Sequence, residues 1–175
     1  IQIITPDKGF IVNGTPKNKR SYLDWGVFHV ELKFLEVFKS YNKTLKNINV
    51  LLLNNKVSEL DFWFLELSKT AKEINKNRIQ YIDQLKKTAD SKDLKQLLVL
   101  FDSIDSFDYQ FYSGWPKEVD ALDEQSIYRY LSKNTQSLLK KNYLNYGPHK
   151  ASLNFSLNNK NECFLSRGEQ KTLSI

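Results

Sequence analysis

Methionine is absent from the chain, even at position 1, and cysteine occurs once, as Cys163. The first absence leads to the expectation that the chain is cut from a longer protein. The second excludes an intramolecular disulfide and a cysteine-built zinc site, and it points to a reducing, cytosolic setting. No apolar run reaches the roughly 18–20 residues of a membrane span, and no cleavable signal heads the chain. Glycine is scarce: the six stand at 9, 14, 26, 114, 147 and 168, and none is followed by Lys-Ser or Lys-Thr. A phosphate-cradling loop is therefore missing from this sequence. His29 and His149 are the only histidines, far apart and without a Cys-x-x-Cys, so no metal site is signalled. Serine-hydrolase chemistry lacks its Gly-x-Ser-x-Gly elbow.

What is present suffices for one core. The 175 residues are 41% hydrophobic and 13% aromatic, far too rich for a disordered tail. The formal charge of +6 is uneven. Residues 1–56 carry nine basic and four acidic groups, 57–137 eleven and fourteen, and 138–175 six and two. Basic ends suit a polyanion such as nucleic acid; a solvated lysine face has the same composition.

Ile1 to Ile4 reads as a buried strand, closed by the turn Thr5-Pro6-Asp7-Lys8-Gly9. Thr15 is placed to cap a helix whose first position is Pro16, running past Lys17, Lys19, Arg20 and Asp24 to stop near Gly26. From Val30 the apolar residues Phe34, Leu35, Phe38, Tyr41, Leu45, Ile48 and Leu52 step by threes and fours, the mark of an amphipathic helix. After Asn54-Asn55 a second such series runs from Leu60 to Leu85, which predicts an antiparallel helical hairpin. Phe107, Tyr109 and Phe111 alternate as in a strand ending at Gly114-Trp115-Pro116. Helical spacing returns from Ser126 to Tyr143 and breaks at Gly147-Pro148. Leu153, Phe155 and Leu157 then alternate, and Asn158-Asn159 is expected to turn a hairpin into Glu162–Leu165.

Two segments invite a chemical reading. Leu97–Asp102 has the apolar run and acid of a magnesium-holding strand, but no phosphate loop precedes it and no Glu follows, so it reads as the C-terminal end of a core helix followed by a polar turn. The stretch Leu165-Ser166-Arg167-Gly168-Glu169-Gln170-Lys171 is more specific. Ser166 with Glu169 three residues on has the form of a capping box. The same turn, with Gly168 allowing close approach, has the form of a phosphate contact. It is similar to the signature motif of ABC-type ATPases.

Other segments agree in order and spacing. Ile3–Phe10, Asn13-Gly14-Thr15-Pro16-Lys17 with Arg20, Leu23-Asp24-Trp25-Gly26 with Phe28-His29, and Gly147-Pro148-His149-Lys150 together resemble the RecF family. These are bacterial DNA-repair ATPases related to the SMC and Rad50 heads. Between about Asn54 and Asn145 only the helical character matches. The chain departs from the family pattern at Lys150, where arginine is expected, and at Glu169, where glutamine is commoner. Gln2 is the glutamine nearest the expected γ-phosphate-sensing loop.

The resemblance implies a mainly α fold, with a long antiparallel helical arm, short flanking strands and a β-hairpin from an ATPase head. The expected divisions are 1–14 as head strand and turn, 15–144 as helical lobe, and 145–175 as head hairpin and signature helix. It implies that Ser166, Arg167, Gly168, Glu169 and Gln170 contact ATP across a homodimer. The phosphate loop and magnesium-binding acids would lie outside this sequence, leaving it inactive alone. ATP and Mg²⁺ are the implied cofactors. DNA, as duplex and as gapped or single-stranded junctions, is the implied ligand, with RecO and RecR as partners in the cytoplasm. Lys17, Lys19, Arg20 and Lys150 are the expected DNA contacts. The other reading is a structural arm for protein–protein contact, which the acidic middle favours.

Overall fold

A computed structural model describes residues 12, 14–89, 107–157 and 159–173. The expected strand at Ile1–Ile4 with its turn, Gln2, the Leu97–Asp102 segment and Asn158 lie outside the described residues. The described chain is mainly α-helical with one small sheet, the fold class the sequence implies. Helix α1 spans Pro16–Val30, α2 Phe34–Leu53 and α3 Leu60–Ala89. Strand β1 spans Phe107–Tyr112, followed by α4 (Glu124–Lys133) and α5 (Thr135–Lys141). Strands β2 (Ser152–Leu157) and β3 (Lys160–Asn161) precede α6 (Arg167–Leu173). No described helix is long and apolar enough to cross a membrane.

Local chemistry accounts for most boundaries. The Thr15 hydroxyl accepts from the Asn18 N–H at 3.2 Å, the cap expected ahead of Pro16. Helix α1 does not stop at Gly26 but continues to Val30. That glycine serves packing: a Cβ there would run into the Tyr81 phenol. On α3 the buried residues Leu60, Phe64, Leu67, Ala71, Ile74, Arg78 and Ile82 recur every three or four positions, one continuous face. Each large apolar side chain so covered contributes about 1.5–3 kcal/mol.

The helix expected over 126–143 is two helices. The Asn134 side chain donates to Tyr130 O at 2.8 Å and the Thr135 hydroxyl to Ser132 O at 2.9 Å. Side-chain bonds of this kind compete with the helical ladder and part α4 from α5. Asp123 opens α4, its two carboxylate oxygens accepting from the Gln125 and Ser126 N–H groups.

In the sheet, β2 lies between β1 and β3, and both pairings are antiparallel. Tyr109 stands opposite Phe155, their rings edge-to-face at 5.5 Å. The hairpin return is shorter than expected: β3 is Lys160–Asn161, and Glu162–Phe164 is a turn of 3₁₀-helix, not strand. The Asn161 side chain causes this by accepting from the Cys163 N–H at 3.2 Å.

The chain forms two compact units. The first holds the described parts of 1–26, 80–112 and 152–175: the start of α1, the end of α3, the sheet and α6. The second holds 27–79 and 113–151, with α2, most of α3, α4 and α5.

Candidate functional site

The turn at 165–170 belongs to the first unit. The Ser166 N–H donates to the Glu169 carboxylate at 2.7 Å, and the Glu169 N–H to the Ser166 hydroxyl oxygen at 3.3 Å. This reciprocal capping box satisfies two N–H groups at the start of α6. It also holds the Glu169 carboxyl below the usual carboxylate range, first through the Ser166 N–H and hydroxyl, then through the Lys160 charge. Ser166, Arg167 and Gly168 are exposed. Among the described residues, a Cβ added at Gly168 would meet only Ser166 Oγ, at 3.9 Å. Gln170 turns inward: it is buried, and its side-chain amide donates to Leu165 O at 2.8 Å. The outer face of the turn thus belongs to Ser166, Arg167 and Gly168, while Glu169 and Gln170 hold its shape.

What anchors the segment before this turn is Glu162, which belongs to none of the sequence motifs. One carboxylate oxygen pairs with the Lys19 ammonium, and the other accepts from the Phe155 N–H at 3.1 Å. Lys19 also lies over the Phe155 ring, 5.4 Å from its centroid. Lys19, expected at a DNA phosphate, is therefore buried and neutralised by an internal partner, which removes it from the expected contacts. Lys17 on the same helix is exposed and Arg20 partly so. A sequence signal for Glu162 does exist, since it is the one acid between positions 125 and 168.

The Gly147–Lys150 motif sits in the second unit as a tight turn. Gly147 has φ +122°, and its N–H donates to Gly114 O at 2.9 Å. Gly114 has φ +87°, and a Cβ on it would lie 2.9 Å from Ala151 N, so neither glycine tolerates a side chain. The buried Arg78 donates to Pro148 O at 2.8 Å. His149 Nε2 is 3.1 Å from Leu144 O and Nδ1 is 2.7 Å from the Tyr41 hydroxyl. The carbonyl can only accept, so Nε2 carries the proton and Tyr41 donates to Nδ1. Burial raises the Tyr41 pKa well above the usual phenol value, which keeps it a donor. His149 is thus a structural clamp. Lys150 is exposed, 6.0 Å from the Tyr143 ring centroid. Among the described residues no group of three or more His, Cys, Asp or Glu is placed to hold a metal.

No protein-family model matches the chain. It is, however, 34% identical over 177 residues to the DNA replication and repair protein RecF of Pseudoalteromonas translucida, covering 99% of the chain and 46% of that protein. The RecF of Pseudomonas aeruginosa strain LESB58 is also 34% identical, over 98% of the chain and 44% of its own length. That of Haemophilus influenzae strain Rd is 32% identical over 99% of the chain and 46% of its length. Among solved structures, the recombination mediator protein RecF-ATP in the RecFOR pathway superposes with a TM-score of 0.77. It is 24% identical and matches 94% of this chain and 45% of that one, a likeness of fold. From sequence and fold together, the chain belongs to the RecF family and spans about half the length of the curated relatives it matches.

Proposed function

We propose that this chain serves an ATP-dependent DNA-binding protein of recombinational repair in the bacterial cytoplasm, supplying a helical lobe and the turn that meets ATP across a homodimer. The observation that carries the reading is the relationship to RecF along 99% of the chain, through the Ser166–Gln170 segment. The RecF structure with ATP adds that a relative of the same fold takes this nucleotide.

The residues present fit such a ligand. Gly168 is exposed, a Cβ on it would meet only Ser166 Oγ among the described residues, and Ser166 and Arg167 are exposed beside it. Ser166 and Gly168 would meet the γ-phosphate held by the partner protomer, and Arg167 would add positive charge. Glu169 and Gln170 position the turn. ATP with Mg²⁺ would supply negative phosphate charge for the Ser166–Gly168 turn to meet, and two copies of that turn would close a two-fold dimer. The phosphate loop that would hold each nucleotide is not in this sequence, so ATP hydrolysis is a property of the longer protein. Lys17, Arg20 and Lys150 are the proposed DNA contacts, with duplex DNA and gapped or single-stranded junctions as the ligand and RecO and RecR as partners.

Ser166→Arg in the full-length protein tests the reading. The bulky cation should leave nucleotide binding by each monomer intact and abolish dimerisation driven by a non-hydrolysable ATP analogue, read by light scattering. Normal dimerisation would reduce Ser166 to a helix cap. A second reading, protein–protein contact through the helical lobe without direct DNA binding, is favoured by the exposed apolar residues Val50, Leu53, Val57 and Phe62 of the second unit.

A further inference from the structure

The second unit carries an open groove of about 390 Å³ along α2, walled by Asn142 at the end of α5. Leu45, Val50 and Leu53 form its apolar floor, and Asn42, Lys46 and Asn142 its polar edge. Val50 is 48% and Leu53 63% exposed, so the floor faces solvent. The two walls are held together: Asn49 of α2 accepts from the Leu144 N–H at 2.8 Å. Asn142, with φ +60°, ends α5 and turns the chain toward that bond.

The two chain segments that wall the groove carry basic side chains and no acid, Glu59 standing just beyond them on the turn Val57–Glu59 that packs against α2. No Asp or Glu occurs from 37 to 58 or from 125 to 151, while the first segment carries Lys39, Lys43, Lys46 and Lys56. The second carries Arg129, Lys133, Lys140, Lys141 and Lys150. The linear sequence hides this, because the acids of 57–124 lie between the two segments; packing of α2 against α5 puts them side by side.

We propose that this groove docks an acidic amphipathic segment of a partner protein, with apolar side chains on Leu45, Val50 and Leu53 and carboxylates against Lys46 and its neighbours. An apolar face laid in a groove with charges at its rim is a general mode of helix recognition. Charge alone suits a nucleic acid equally, but a phosphate backbone gains nothing from a floor of leucine and valine, whereas a peptide does. The surface stands independently of the turn at Ser166.

Selection of a random peptide library on the chain, with fluorescence anisotropy of the enriched peptides, tests this. Enriched peptides should combine Asp or Glu with Leu, Ile or Phe three or four residues apart. Lys46→Glu and Leu53→Ser should each weaken their binding about tenfold or more, the effect of removing one well-placed anchor. Both residues are exposed, so circular dichroism should not change; Val50→Thr probes the floor a second time without altering side-chain shape. Enriched peptides without acids, or binding untouched by both Leu53→Ser and Val50→Thr, would overturn the proposal. So would an oligothymidylate that displaces the peptides and responds to Lys46→Glu but not to either floor variant, since the groove would then be a polyanion surface.

Discussion

Lys19 and Glu162, 143 residues apart in sequence, form an ion pair whose side chains are 5% and 12% exposed. The pair joins α1 to the 3₁₀ turn that leads into Ser166. Because Glu162 also accepts from the Phe155 N–H, one carboxylate ties together a helix, a strand and the turn. The nearest basic neighbours in sequence, Lys17 and Arg20, face differently on the same helix.

Removing one member of this pair leaves a buried charge without compensation. Lys19→Met should therefore destabilise the chain by about 3–5 kcal/mol, and Lys19→Met with Glu162→Gln by less than the sum of the single changes. Urea denaturation of the four members of this cycle measures it. Additive losses would show that the pair is not coupled.

Gly26→Ala tests a reversal of helix propensity. In an exposed helix the change stabilises by about 1 kcal/mol, but here the new methyl group meets the Tyr81 ring. The melting temperature should fall, and Tyr81→Ala in the same chain should restore part of the loss. A rise in melting temperature for Gly26→Ala alone would mean that the helix and Tyr81 do not approach so closely.

The capping box at α6 should be sensitive to acid. Glu169 titrates below its ordinary value when folded, so its contribution is present above the unfolded carboxylate pKa, about 4.3, and is lost as pH falls through the lower folded value. The protection of the Ser166 amide, taken relative to its intrinsic exchange rate at each pH, should fall in that acidic range. In Glu169→Ala the Ser166 amide should be unprotected at every pH, whereas in Glu169→Gln, whose amide oxygen still accepts from the Ser166 N–H, protection should persist and only the acid-dependent step should vanish.

Salt dependence separates the basic residues of α1. In the full-length protein, replacing Lys17 and Arg20 by Ala should weaken duplex binding across sequences. The slope of log affinity against log salt should become shallower by about 0.9 for each DNA phosphate that is no longer neutralised. Lys87→Ala, on the exposed end of α3, should change the slope much less. An unchanged slope in the double variant would make this part of α1 a solvated face.

Helices α2 and α3 are legible in the sequence because their signal is local. Apolar residues at steps of three and four must share a face whatever they pack against, and Asn54-Asn55 interrupts the pattern at the right place. Thr15-Pro16 and Ser166–Glu169 are legible for the same reason, since a cap and its partner lie within four residues. The Leu165–Lys171 and Gly147–Lys150 segments are where the sequence resembles the RecF family. The break at Asn134 is not legible, because apolar spacing continues through it and only side-chain bonds to the backbone part the helices.

By itself, then, the sequence determined the mainly α character, the principal breaks, the capped starts of α1 and α6, and the RecF likeness. All of these depend on residues within a turn or two of one another, or on order along the chain. Only the tertiary structure decided that Lys19 is an internal partner of Glu162, that Gly26 makes room for Tyr81, and that His149 is a clamp on Tyr41. It alone set two acid-free segments side by side along α2. Which way a lysine faces, and what meets it, depends on residues brought from far along the chain, and neither composition nor periodicity records that encounter.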